Sequence, residues 1–64
     1  MNNFVKNFNE LIDIYKYTNR RLAAVLGVSC GTISNYRNGI YEPNIDMLIR
    51  ISNLFDISLD DLIL

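Results

Sequence analysis

TNRRLAAVLGVSCGTISNYRNG, residues Thr18 to Gly39, reads as two short helices joined by a tight corner. Thr18 is a good N-cap, and the apolar positions Leu22, Ala23, Val25 and Leu26 recur at helical spacing behind it. Gly27 then supplies the left-handed residue that closes many helices, because it has no Cβ to clash. Ser29 caps the next helix, Cys30 through Arg37, for which Gly39 is the stop signal. Within that helix only Ile33 and Tyr36, with Val28 just before it, are candidates for a core. Most of its surface is therefore left to face something other than the protein interior.

The flanking sequence extends the same pattern. Phe4, Val5, Phe8, Leu11, Ile12 and Tyr15 draw one apolar stripe on a first helix, capped by Asn2 or Asn3. Pro43, the single proline, disfavours helix at Glu42, and Asn44 caps a fourth helix. Its buried side is expected at Ile45, Leu48, Ile51 or Ser52, and Phe55, widened by Met47 and Leu54. After a turn at Asp56 and Ile57, Ser58 caps a last helical turn in which Asp60 and Asp61 complement the helix dipole. No strand pattern, repeat or linker interrupts the 64 residues, so the expected fold is all-α: residues 1–64 as a single compact five-helix bundle.

Composition narrows the function. A chain that is 50% hydrophobic and 20% charged folds, but one this short typically buries only about 60% of its unfolded surface and rarely gains more than about 3 to 5 kcal/mol from its core. Self-association would help it. A single cysteine closes no internal disulfide, and without histidine no zinc constellation forms, so neither metal nor cofactor is expected. With no histidine, no glycine-rich phosphate loop and no paired acids in a cleft, acid–base or nucleophilic catalysis has nowhere to assemble, and neither an enzyme nor a small-molecule substrate is expected. No basic, apolar leader opens the chain and no apolar run approaches the ~20 residues that span a bilayer, which predicts a cytoplasmic protein with no membrane partner.

The net charge of -1 conceals a polarity. Lys16, Arg20, Arg21 and Arg37 lie between Lys16 and Tyr41 with no acid among them, a local +4; the rest of the chain holds two cations and seven acids, a net -5. A basic face on an acidic body orients the docking of a polyanion. Two short helices separated by Gly27-Val28-Ser29 form a helix-turn-helix candidate, whose second member would protrude and be narrow enough for the DNA major groove; the other reading of the same spacing is an ordinary packed helical hairpin.

From Thr18 to Leu62 the sequence resembles the Cro/C1-type helix-turn-helix family, the phage-repressor-like DNA-binding domains of lambda-repressor-like fold. The resemblance is carried by Thr18, Leu22-Ala23, Leu26-Gly27-Val28-Ser29, Thr32-Ile33-Ser34, Tyr36, Gly39, Pro43, Leu48, Leu54 and Ile57-Ser58-Leu59-Asp60-Asp61-Leu62. It implies a transcriptional regulator, a phage or bacterial repressor, that binds a two-half-site operator in double-stranded DNA as a homodimer. The other function open to such a domain is protein binding, as an antirepressor or the partner of a larger regulator.

Position by position, the resemblance places base reading at Cys30, Gly31, Ser34 and Asn35. Phosphate contacts fall at Thr18, Asn19, Arg20, Arg21, Thr32, Arg37, Asn38 and Tyr41, with Arg37 able to reach either phosphate or solvent. Asn19 stands where the family often has a longer glutamine, and Arg21 where it usually has an acid. Cys30 and Gly31 replace the family's common glutamine, arginine or serine, which leaves Asn35 as the residue able to make a bidentate bond to an adenine edge. Cys30 itself reads as a small helix-start residue rather than a thiol sensor. The apolar cluster Ile57, Leu59, Leu62, Ile63 and Leu64 exceeds what one short helix hides easily, and is the expected dimer interface.

Overall fold

Four of the five helices start at a side-chain cap that the sequence position foretells. The computed structural model describes residues 3–64, and in it five α-helices follow one another: α1 (Phe4–Tyr15), α2 (Asn19–Leu26), α3 (Cys30–Arg37), α4 (Ile45–Leu54) and α5 (Leu59–Ile63). Thr18, Ser29, Asn44 and Ser58 each accept a hydrogen bond from the backbone N–H three residues on, at 2.9 to 3.1 Å. These bonds satisfy helix-start donors that have no partner within the helix. Gly27 closes α2 at φ +71°, with the Val28 N–H donating to the Ala23 carbonyl at 3.0 Å, and Gly39 turns the chain after α3 at φ +69°. There is no strand among the described residues, and no helix is long and apolar enough to cross a membrane.

Phe4, Phe8 and Ile12 from α1, Leu22 and Leu26 from α2, Ile33 from α3, Ile51 and Phe55 from α4 and its end, and Leu62 from α5 make the centre of the core. Phe4 and Phe8 stack at 4.9 Å, and both meet the buried Tyr36 ring edge-on at 6.4 Å. Ala23 is buried where α2 meets α3, as the close approach of the two helices requires.

Three expectations are corrected. Asn3 does not cap α1 through its side chain; its backbone N–H donates to the Ile63 carbonyl at 2.7 Å and its Nδ2 to a main-chain oxygen of Leu64, also at 2.7 Å. The reason lies at the other terminus, where the last carbonyls of α5 have no intrahelical donor and α1 supplies them. Asn7 acts likewise on the Asp61 and Leu62 carbonyls. Asn2, the other candidate cap, lies outside the described residues. Ile45 is 58% exposed, because the buried stripe of α4 runs through Met47, Ile51 and Phe55, one helical turn apart, leaving the first residue of the helix beyond the core edge. Tyr15 and Val25 are also exposed, although Tyr15 lays its ring edge-on against Phe55 at 5.2 Å.

Candidate nucleic-acid interface

With Ile33 and Tyr36 turned into the core, the repeat of about 3.6 residues per turn puts Gly31, Ser34, Asn35 and Asn38 on the opposite side of α3. Gly31 and Asn38 are exposed, and Ser34 and Asn35 half-buried; Cys30, also exposed, lies at the edge of this stripe. A Cβ at Gly31 would meet only the Ser29 Oγ, at 3.7 Å, so nothing in the packing demands glycine there. What its bare backbone does offer is close approach by another molecule. Thr32 is half-buried and shares a 3.0 Å hydrogen bond between its hydroxyl and that of Ser29. Asn38 Nδ2 donates to the Ser34 Oγ at 3.3 Å. Asn35 Nδ2 donates to the Tyr41 hydroxyl at 2.9 Å, which leaves the carboxamide one free N–H and its oxygen.

The start of α2 stands against the end of α3. Arg20 and Arg21 are exposed in a first turn without an acid, close to the positive pole of the helix. Asn19 beside them accepts on its Oδ1 from the Arg37 Nη1 at 2.7 Å, so its Nδ2 donors are left for another partner. Sequence reasoning leaves Arg37 between phosphate and solvent, whereas the structure turns its guanidinium inward. Its Nε donates to the Asn9 Oδ1 at 2.6 Å, and the Asn9 Nδ2 returns a bond to the Arg37 carbonyl at 3.0 Å. Arg37 thus ties α1, α2 and α3 together and orients Asn19. Asn9 was not legible as part of the site. It lies 28 residues from Arg37, and its one signal is an amide next to the apolar stripe position Phe8.

The terminal cluster divides. Leu62 is fully buried and belongs to the core of the single chain, because its position in α5 faces α1 and α4; it is not available to an interface. Ile57, Leu59 and Ile63 are half-buried against that core, and Leu64 is 75% exposed. Among the described residues there is no group of acids and cysteine arranged to hold a metal ion, and no pocket. The Tyr36 phenol is raised above its ordinary pKa of 10.0 by burial first and by the neighbouring Tyr41 second.

Residues 10–62 match the family model described as Helix-turn-helix. The HTH-type transcriptional regulator ImmR of Bacillus subtilis (strain 168) is 34% identical over 47 residues, which are 73% of this chain and 37% of that protein. The crystal structure of a transcriptional regulator from Listeria innocua superposes with a TM-score of 0.93 at 30% identity, covering 98% of this chain and 59% of that one. The chain therefore spans less than two thirds of the length of either relative.

Proposed function

We propose, because the chain belongs to the Cro/C1-type helix-turn-helix family, that it is a sequence-specific double-stranded-DNA-binding transcriptional regulator, a repressor that seats α3 in the major groove. The observation that supports this most is the outward side of α3: a short, polar, largely exposed helix flanked at the start of α2 by two exposed arginines. Thr18, Asn19, Arg20 and Arg21 contact phosphate, with Thr32 and Asn38 beside the groove, and they fix register without reading sequence. Two cations near a helix N-terminus typically cost about 0.3 to 1 kcal/mol each, a cost that a docked phosphate offsets.

Base reading is concentrated at Asn35, with Ser34 as a helper. Gly31 and Cys30 allow close approach rather than directional bonds, so the shape and stiffness of the duplex carry part of the specificity. The operator is read by a homodimer through Leu64 and the half-buried Ile57, Leu59 and Ile63, with its two α3 helices about 34 Å apart, one turn of DNA.

Selection of bound duplexes from a random pool at a fixed salt concentration tests this reading. Enrichment of a sequence with two inverted half-sites, their centres one turn apart, is the expected result. A folded protein that enriches no sequence overturns DNA reading; enrichment of one isolated half-site by a concentration-independent monomer overturns the dimer.

A further inference from the structure

The hydroxyl of Tyr41 is engaged by the one side chain of α3 suited to bidentate base recognition. The Asn35 Nδ2 donates to it at 2.9 Å across a separation of six residues. Tyr41 is 50% exposed, and its place is set by one ring contact and by the path of its loop. Its ring stands edge-on to Tyr36 at 6.1 Å and 90°, and Tyr36 is locked by its own edge contacts with Phe4 and Phe8. Gly39 at φ +69° and the Ile40 N–H, which donates to the Asn35 carbonyl at 3.0 Å, bend the chain back onto α3, and buried Pro43 fixes it on the far side. The phenol is thereby tied in register to the helix although it lies in the loop.

We propose that Tyr41 is the positioning residue of base reading: its hydroxyl holds the Asn35 carboxamide in the single orientation that matches an adenine edge. An asparagine amide left alone turns over broadly about its last torsion and presents donor or acceptor indifferently. In this assignment Tyr41 takes the N–H that points away from Oδ1, so the remaining N–H and the Oδ1 stand side by side, the complement of an acceptor N7 next to a donor N6. The ordering is done before DNA arrives, so its cost does not fall on binding. The inference rests on the α3 reading above, and it moves Tyr41 from a phosphate contact to the partner of Asn35.

The test compares the parent with Tyr41→Phe, Asn35→Ala and the double variant, using the selected operator and its single-base changes as competitors at several salt concentrations. Tyr41→Phe keeps the ring packed on Tyr36. It is expected to reduce discrimination by about tenfold at the one base pair that Asn35→Ala also relaxes. The double variant is expected to match Asn35→Ala. In the free protein, the Asn35 side-chain amide resonances should shift in Tyr41→Phe; if they do not, the hydrogen bond is absent and the proposal falls. Weakening of every duplex alike, with a shallower salt dependence, would make Tyr41 a phosphate contact and overturn it, as would single-variant losses that multiply in the double variant. If Asn35→Ala relaxes no base preference, the α3 reading itself fails first and takes this inference with it.

Discussion

Replacing Arg37 by methionine removes the guanidinium that joins three helices while keeping most of the aliphatic stem. Two charge-assisted bonds disappear, to Asn9 at 2.6 Å and to Asn19 at 2.7 Å, and the half-buried Asn9 oxygen loses its donor. At the lower end of the usual range each bond contributes about 1.5 kcal/mol, and water recovers part of it at a half-exposed site. Arg37 also stands in the last turn of α3, where a cation contributes about 0.3 to 1 kcal/mol. The net loss comes to about 2 kcal/mol. In a domain of this size that is roughly half of the total stability, and it lowers the melting temperature by about 8 to 16 °C. Urea and thermal unfolding followed by far-ultraviolet circular dichroism measure it directly. Arg37→Lys should fall between parent and methionine variant, since an ammonium lacks the planar fork that serves both amides. A methionine variant within about 0.5 kcal/mol of the parent would mean that solvent replaces both bonds, and the account of Arg37 as a structural tie would be wrong.

Gly27→Ala meets no obstacle, because its Cβ would lie 3.8 Å from the Arg50 Nη2, so the cost is the left-handed backbone alone, about 1 to 2 kcal/mol in urea unfolding. An unchanged midpoint would show that the corner tolerates a side chain. Removing both Arg20 and Arg21 to alanine should act in opposite directions on two readouts. The free domain gains about 0.3 to 1 kcal/mol per site as the unfavourable dipole contact goes, while the slope of log affinity against log salt becomes shallower by about 1.8, equally for all duplexes. A slope that does not move would remove both residues from the phosphate contacts. For Tyr36, burial and then Tyr41 raise the folded pKa above the unfolded value of 10.0, so the folded state holds its proton longer. That contribution to stability is complete below about pH 10 and is lost as pH rises through the folded value. Urea midpoints measured from about pH 8 to about pH 11 should drop in the parent and stay more nearly level in Tyr36→Phe; equal profiles would contradict the assignment.

Local signals in this sequence are dependable because local physics fixes them. Thr18, Ser29, Asn44 and Ser58 each cap the helix they precede, and Gly27 and Gly39 take the positive φ expected of them. The polar side of α3 follows as directly, since Ile33 and Tyr36 leave one orientation for the helix. What spacing does not contain is the partner of a polar group on another helix. Ile45 has the right periodicity for burial, yet nothing lies across from the first residue of α4. Asn3 has a cap's chemistry and is drawn instead to the open end of α5. Arg37 has the chemistry of a phosphate contact, but the folded chain supplies it with two amide oxygens. Leu62 looks like surplus apolar surface until α1 and α4 enclose it. In each case the competing partner lies many residues away, and only the assembled bundle brings it within reach.

Five residues that make polar bonds between separate parts of the bundle share one chemical habit. Asn7 and Asn9 give carboxamide protons to carbonyls, Arg37 gives guanidinium protons to carboxamides, Arg50 gives one to the Leu26 carbonyl at 2.8 Å, and Asn35 gives one to a phenol. In all of these the accepting oxygen is neutral, so added electrolyte has little Coulomb attraction to weaken within them, while contacts with a polyanion are strongly weakened. An ionic-strength titration of the complex therefore reads release of the duplex, with the protein still folded at the concentrations that free it.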